Sequence, residues 1–327
     1  MAQSKLFLTS SIDSSRALTD LFDFVWPTAV ALWNLQWQTK GFKSQKPDAT
    51  VSELNSRFVL GSDIHGANLE RLATETAWPE LQQWFARLLL SETCALFEGW
   101  IKASLDEINL PPSIPRGATN NSIDKALQFP TSFNNAKNPI SGAKFAILTV
   151  QGQSGSHLIS SCFLPIQIKN KKYSYQNLDE LLVCYRAFKE VRNDFIHHGG
   201  RASARTVQAF NKFNILTATA LGIAEVPELP AMTQGDPIKL SLRGIVGLSD
   251  VVIRLITTYD CLLVNSTHGE SLLKRRWLAK HPSLVLLKPA GHTRDQNIIK
   301  LIRQCGLPKP VAPTILYTHL KKENLVI

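Results

Sequence analysis

The residues best suited to chemistry stand together in one segment, Arg192-Asn193-Asp194-Phe195-Ile196-His197-His198, which brings a guanidinium, an amide, a carboxylate and two imidazoles into seven positions. Asn193 and His197 are four residues apart and would share one side of a helix. Arg192 and His197 would point about 140° apart on an ideal helix and would flank a groove. This arrangement suits phosphoryl transfer within RNA, where the 2′-hydroxyl lies next to its own phosphate.

RNA cleavage by that route needs a base for the 2′-hydroxyl proton, an acid for the leaving 5′-oxygen and a cation for the phosphorane charge. An imidazole serves as base or acid near neutral pH, and the planar fork of Arg192 matches two phosphoryl oxygens. The route requires no metal ion, and we predict neither a metal nor a cofactor. One chain offers Arg192 and His197 once, so a two-fold homodimer would present two of each.

The pattern Arg192-Asn193, three residues, His197 and a nearby glycine resembles the R-x4-H signature of the HEPN superfamily of helical nucleotide-binding domains. Many members are metal-independent endoribonucleases that act as toxins or antiphage effectors. The resemblance is sharp over 185–200 and extends as helical context over about 15–265. It implies an endoribonuclease that leaves 2′,3′-cyclic phosphate ends, in which Arg192 clamps the phosphate, His197 acts as base or acid and Asn193 orients.

Four further residues are candidates for supporting roles in this site. His198 either widens the acid–base set or is simply exposed, and Asp194 is expected to orient Arg192 or to face solvent. Glu98 lies in an apolar run similar to the early acidic position of the family, and could fix Arg192 across the bundle. Tyr185 either lines the RNA groove or belongs to the core.

The elements that must position these residues read as helices. Helical periodicity of apolar residues covers 12–38, with Pro27 as a kink or break, and is strongest at 79–107. It returns at 177, where Asn177 can cap a helix, and the glycine pair 199–200 either stops that helix or simply bends the chain. Further helices are expected over 203–223, 239–265 and 293–305. The fold class predicted from this pattern is mainly α, a HEPN-like helical bundle.

Two regions depart from that bundle. The stretch 108–176 is predicted to be an insertion: a proline-rich loop up to 142, then short apolar runs at 144–150 and 162–168 that suit either strands or buried helical turns. The segment 283–288 resembles a strand. We therefore predict a helical domain over 12–265 with a loop and short-strand insertion, and a small basic α/β extension over 271–327.

Positive charge is concentrated in that extension. Residues 271–327 contain eleven Lys or Arg against Asp295 and Glu323, which accounts for most of the net charge of +10. A localised basic segment is typical of proteins that bind a phosphate backbone. The residues predicted to hold RNA are Lys274, Arg275, Arg276, Arg294, Lys300 and Arg303.

The amino-acid composition is typical of a globular protein. Hydrophobic residues make up 44% and charged residues 19% of the 327 residues, as in globular proteins. No apolar run approaches the ~20 residues of a membrane helix, and the N-terminus does not resemble a signal peptide, so a cytoplasmic protein without membrane contact is expected. The five scattered cysteines favour buried free thiols over disulfides or a zinc site, and the seven tryptophans are expected to be core residues.

Two other functions fit the same sequence. In one, the chain is a non-catalytic RNA-binding or adaptor protein whose helical bundle only forms a dimer. In the other, it is a toxin held silent by a cognate antitoxin or another regulatory protein.

Overall fold

The fold is mainly α, as the sequence predicts. The structure, a computed structural model, describes residues 5–110, 123–129, 143–151, 155–287 and 290–327. The long helices are α1 (Thr9–Gln45), α4 (Trp78–Glu107), α9 (Leu178–His197) and α12 (Leu242–Val264). Among them lie α2 (Val51–Phe58), α3 (Leu69–Thr74), α5 (Ile123–Gln128), α6 (Ala143–Gln151), α7 (His157–Cys162), α8 (Leu164–Gln167), α10 (Ala204–Phe213) and α11 (Ala218–Leu221), and the chain ends with α13 (Thr267–Lys280), α14 (His292–Gln304) and α15 (Pro313–Lys322).

The first helix is continuous through Pro27 and does not break there. A proline removes one backbone hydrogen bond and usually kinks or ends a helix. In α1, buried residues continue on both sides, with Leu18 and Val25 before the proline and Ala29 and Gln36 after it. Their spacing keeps one face of the helix against the core across the proline, so tertiary packing offsets the missing hydrogen bond.

Aromatic side chains mark the place where four long helices meet. Trp100 of α4 stacks on Tyr259 of α12 with ring centroids 6.0 Å apart, and Phe97 lies 4.6 Å from Tyr185 of α9. The indole Nε1 of Trp100 donates to Ser11 Oγ of α1 at 3.0 Å. This cluster fixes α9, the helix that contains Arg192 and His197, against α4.

A buried carboxylate ties α12 to the beginning of α1. Asp260 is fully buried, and its two carboxylate oxygens accept hydrogen bonds from the backbone amides of Phe7 and Leu8, each at 2.8 Å. Gln167 Nε2 donates to the same carboxylate at 3.0 Å. The first amides before a helix have no partner within it, and Asp260 supplies one at this end of α1.

The predicted short strands are wrong within the described residues. The run at 144–150 lies in α6, and the run at 162–168 falls largely within α7 and α8. Short apolar runs of this length fit a buried helical turn as well as a strand, and periodicity alone does not separate them. Most of the proline-rich stretch predicted as a loop, 111–122 and 130–142, lies outside the described residues.

The C-terminal segment is helical, with a single parallel bridge in place of a predicted strand. Val285 pairs with Val326, and Ile327 N donates to Val285 O at 3.0 Å. The predicted helix over 293–305 is confirmed as α14. Buried side chains of α13, α14 and α15 belong to the same hydrophobic core as those of α1, α4 and α12. Val311 N, just before α15, donates to Cys162 O of α7 at 2.8 Å.

All five cysteines are buried free thiols, as expected. The expectation for the tryptophans is wrong for most of them: Trp100 and Trp277 are buried, whereas Trp26, Trp33, Trp37 and Trp84 are more than 40% exposed. Trp26, Trp33 and Trp37 all lie on α1. None of the described helices combines the length and the apolar character needed to span a membrane.

Candidate functional site

The segment with the candidate residues forms the last turns of α9 and the bend that follows it. The helix ends at His197, which is the first of the two alternatives for the glycine pair, and Gly199 and Gly200 both have positive φ, 60° and 77°. A side chain on Gly200 would also meet the ring of Phe195 at 2.9 Å. The chain then runs through Ser203, the N-cap of α10. The bend thus returns α10 to the side of α9.

Arg192 is half-buried, and its one described hydrogen bond goes to a neutral amide. Its Nη1 donates to Asn193 Oδ1 at 3.2 Å, while its Nε is buried without a hydrogen-bond partner. Among the described residues, no carboxylate lies within ion-pair distance of it. The guanidinium therefore keeps an uncompensated positive charge at the end of α9.

Glu190, the carboxylate two residues before Arg192, is engaged elsewhere. It is 3% exposed, and its Oε1 accepts from Arg205 Nε of α10 at 2.9 Å. Arg186 lies 3.5 Å from the same oxygen. Asn193 Nδ2 donates to Glu190 Oε2 at 3.5 Å, a distance at the weak end for a hydrogen bond. The Asn193 amide therefore links the two residues: it donates a hydrogen bond to Glu190 and accepts one from Arg192.

Asp194, the other flanking carboxylate, does not orient Arg192. It is 2% exposed. Its Oδ1 lies 2.9 Å from His198 Nδ1, and its Oδ2 accepts from the backbone amide of Ser203 at 2.8 Å. The carboxylate joins the end of α9 to the beginning of α10 and holds the His198 ring.

His197 is exposed at the last position of α9, next to Ile196, which is 51% exposed. The two side chains stand on the outer surface of the molecule. No hydrogen bond or ion pair of the His197 ring occurs among the described residues. Arg192 and His197 thus come from the same end of one helix, with an apolar side chain between them in sequence.

Glu98 and Tyr185 lie behind the motif. Glu98 pairs with Lys189, whose Nζ is 2.8 Å from its Oε1, and not with Arg192. Tyr185 is fully buried, so it is a core residue and is not available to an RNA groove. Burial raises the pKa of Tyr185 well above its ordinary value.

The cations predicted to bind RNA are largely used within the chain. Arg276 bonds to Phe7 O at 2.9 Å and forms an ion pair with Glu107, and Arg275 donates to the backbone carbonyl of Glu107. Lys274 pairs with Glu323 at 2.7 Å. Arg294 is 8% exposed, pairs with Asp295 and stacks over Tyr317. Lys300 and Arg303 of α14 are exposed.

The motif and this basic segment contact α4 at positions far apart along the helix. The guanidinium of Arg87 lies 4.4 Å from the ring centroid of Phe195, whereas Glu107, the last residue of α4, binds Arg276. Positions 87 and 107 are separated by about 30 Å along a helix that rises ~1.5 Å per residue. The structure does not bring the predicted RNA-binding segment to the candidate site.

Other cations, which the sequence reasoning missed, surround the motif instead. Arg87 comes from α4, Arg201 from the bend, where its Nη1 donates to Gly235 O at 3.0 Å, and Arg205 from α10. Arg205 is 63% exposed at the side chain and Arg201 is exposed. Arg201 and Arg205 follow His198 by three and seven residues, and this proximity was the signal that could have identified them.

An open cavity of about 630 Å³ lies away from the motif. Phe213, the last residue of α10, and Arg243 are among its lining residues. Because α10 begins beside Asp194 and ends at Phe213, the cavity and His198 are at opposite ends of this helix. The cavity therefore takes no part in the candidate site.

Searches against protein-family models, curated proteins and solved structures return no match for the chain. Within the described ranges, no group of three or more His, Cys, Asp or Glu side chains is placed to hold a metal ion. The HEPN interpretation therefore depends on the residues around Arg192 and His197 alone.

Proposed function

We propose that the chain is a metal-independent endoribonuclease of the HEPN type, which cleaves RNA by 2′-hydroxyl attack and leaves 2′,3′-cyclic phosphate ends. One observation supports it above the others: Arg192 has no carboxylate partner, although Glu190 and Asp194 are close in sequence. Glu190 is paired with Arg205, and Asp194 with His198. An arginine with a structural role on a solvated face would pair with one of them.

The roles follow from position. Arg192 presents a positive charge that a phosphoryl group would neutralise, and charge-assisted bonds of this kind are stronger than neutral ones. Asn193 accepts from Arg192 and donates toward Glu190, which limits the rotamers of the guanidinium. His197 is exposed and acts as base or acid on the scissile linkage. Arg201 and Arg205 each make one bond within the chain, but both are exposed, and their remaining N–H donors would contact the neighbouring RNA backbone.

The active form we propose is a two-fold homodimer that apposes the two α9 ends. Such a dimer supplies two Arg192 and two His197 to one groove. The exposed Ile196 beside His197 offers an apolar contact at that interface. In this view the protein is a toxin or antiphage effector of the cytoplasm, and an antitoxin would act by covering the same surface.

The test is RNA cleavage in the presence of EDTA, with wild type compared with Arg192→Ala and His197→Ala. We expect each substitution to lower the rate by at least 10²-fold, since general acid–base catalysis contributes about 10²–10⁴-fold. Products of the wild type should have 2′,3′-cyclic phosphate ends. Matched controls are Arg243→Ala, an exposed arginine paired with Glu225, and His65→Ala, an exposed histidine remote in sequence.

Thermal unfolding of each variant separates lost chemistry from lost folding. The proposal fails if the wild type does not cleave RNA, or if cleavage requires a divalent ion. It also fails if folded Arg192→Ala and His197→Ala variants cleave as the wild type does. RNA binding that persists without cleavage would point to the non-catalytic alternative.

A further inference from the structure

A second imidazole of the motif is held by the protein in a defined orientation. His198 Nδ1 lies 2.9 Å from Asp194 Oδ1, and the carboxylate is 2% exposed whereas the His198 side chain is 58% exposed. A buried carboxylate that accepts from one ring nitrogen sets the tautomer, because it requires the proton on that nitrogen. The other nitrogen, Nε2, is then an acceptor on the exposed side of the ring.

The carboxylate itself cannot easily turn away. Its Oδ2 accepts from the backbone amide of Ser203 at 2.8 Å, and the backbone carbonyl of Asp194 accepts from His198 N and Gly200 N at 2.9 Å and 3.0 Å. Ser203 in turn begins α10. Asp194 is thus fixed by two elements, and the orientation of His198 is built into the fold of the bend.

The other charged groups near this bend bind partners other than His198. Arg201 donates to Gly235 O, Arg205 pairs with Glu190 at 2.9 Å, and Asp236 accepts from Thr233 N at 2.8 Å. Arg87 lies over the ring of Phe195. Asp194 is the carboxylate that contacts the His198 ring among the described residues.

We propose that His198, positioned by Asp194, is the second acid–base group of the site, so that each α9 end of the proposed dimer supplies both imidazoles and the acid and the base need not be two copies of His197. The inference depends on the proposed ribonuclease function and adds a catalytic residue to it. His197 is the last residue of α9 and His198 is its C-cap, so their Cα atoms are about 3.8 Å apart and both exposed rings lie at the same helix end. Two imidazoles at one helix end can reach a phosphate that binds there.

The proposed step balances with these two groups. One imidazole takes the 2′-hydroxyl proton at Nε2 while the 2′-oxygen forms a bond to phosphorus. The bond from phosphorus to the 5′-oxygen breaks, and the other imidazole, in its protonated form, gives that oxygen a proton. Arg192 neutralises charge on the non-bridging oxygens throughout. The products are a 2′,3′-cyclic phosphate and a free 5′-hydroxyl, with no net gain or loss of protons.

The test uses His198→Asn and Asp194→Asn in the full chain, with an end-labelled single-stranded RNA of mixed sequence and EDTA. The side-chain amide of Asn can replace Nδ1 as the donor to Asp194, so His198→Asn keeps the bond and removes only the imidazole. Asp194→Asn presents a donor to His198 and reverses the tautomer. His197→Asn and Arg192→Ala serve as the matched reference for loss of the proposed function.

We expect His198→Asn to lower kcat by at least 10²-fold with KM nearly unchanged, and to remove one limb of the pH–rate profile. His197→Asn should remove the other limb. Asp194→Asn should lower kcat while thermal unfolding shows a folded chain. These effects on the pH profile would not arise if His198 only stabilised the bend.

The inference is overturned if folded His198→Asn cleaves at the wild-type rate with both limbs intact, while Arg192→Ala and His197→Asn are inactive. In that case the ribonuclease function stands and His198 has only a structural role. Should the wild type fail to cleave, or should Arg192→Ala cleave normally, both the proposed function and this inference fail. The activity of Arg192→Ala and His197→Asn therefore distinguishes a failure of the His198 role from a failure of the proposed function.

Discussion

Two arginines of α9 have different surroundings, and the difference separates a structural residue from a candidate for chemistry. Arg186 lies 3.5 Å from the buried Glu190, and burial lowers its pKa. Arg192, less than two turns later, has only the neutral amide of Asn193 as a described hydrogen-bond partner. Arg186 therefore has a carboxylate partner within the chain, whereas Arg192 is the arginine that we propose binds an external anion.

Replacement of Asn193 by Asp tests this distinction. An aspartate would place a negative charge beside both Arg192 and Glu190, so it would neutralise the guanidinium and repel the neighbouring carboxylate. We expect Asn193→Asp to lower RNA cleavage by about 10²-fold, and Asn193→Ala to have a smaller effect because Arg192 keeps its charge. Equal activity of the two folded variants would contradict the role of the unpaired arginine.

The protonation of Asp260 makes the stability of the fold depend on pH. Burial raises its pKa to about 6 from the ordinary 3.8, against the opposing effect of the amides of Phe7 and Leu8. Between these values the folded chain holds a proton that the unfolded chain has lost, so this group lowers stability as the pH rises from about 4 to 6. Above pH 6 its contribution is constant.

Asp260→Asn should reduce the free energy of unfolding by about 2–4 kcal/mol, because an amide group would face a backbone N–H donor. Since the asparagine does not titrate, the difference between variant and wild type should narrow as the pH rises from about 4 to 6. Urea unfolding at a series of pH values measures both effects. Asp20→Asn, at an exposed position of α1, is the control, and a pH-independent difference would disprove the assignment.

At the scale of elements, periodicity predicted the long helices well and the short ones poorly. The helix over 79–107 is α4 within one residue, and the helix from 177 to the glycine pair is α9. A long amphipathic pattern has enough positions to define its period, whereas seven apolar residues at 144–150 do not. The pair Glu98–Lys189 shows a further limit, because it joins residues far apart in sequence. The pair Asp194–His198 has the i, i+4 spacing of neighbours on a helix, and this local spacing could have predicted it.

The two glycines in the bend after α9 should differ in how much their replacement lowers the stability of the fold. Gly200 has φ +77° and would place a Cβ 2.9 Å from the Phe195 ring, while Gly199 has φ +60° and open space around it. Gly199→Ala should cost about 1–2 kcal/mol for the left-handed conformation alone. Gly200→Ala should cost about 1–3 kcal/mol more because of the clash. Chemical denaturation compares them, and equal losses would show that the ring moves freely.

At the scale of the whole molecule, charge is arranged in two separate places. The C-terminal segment contains most of the excess charge, but several of its cations bind backbone carbonyls, carboxylates or a ring within the chain. Arg201 and Arg205 are fewer and lie beside the motif. Sequence composition located the charge correctly but could not show that this segment contacts α4 at Glu107, about 30 Å along the helix from Arg87, which contacts the motif.

Because of this separation, we expect the length of an RNA to determine whether the cations of the C-terminal segment contribute to its binding. Arg201→Gln should weaken binding of both a short and a long single-stranded RNA and reduce the salt dependence by about one phosphate contact. Lys300→Gln, in the exposed part of α14, should weaken binding of the long RNA alone, because a short RNA bound at the motif does not reach the C-terminal segment. Titration at several salt concentrations measures both. A loss of short-RNA binding in Lys300→Gln would contradict the arrangement.

The buried cysteines have a practical consequence. Desolvation raises the pKa of Cys94 to about 12 and those of Cys162 and Cys305 to about 11, so their reactive thiolate forms are scarce near neutral pH. An alkylating reagent can then reach these sulfurs only when part of the chain opens. Cys94 in α4, Cys162 in α7 and Cys305 after α14 would label in the order in which those regions detach. Mass spectrometry after timed alkylation would thus report the order in which these regions of the chain unfold.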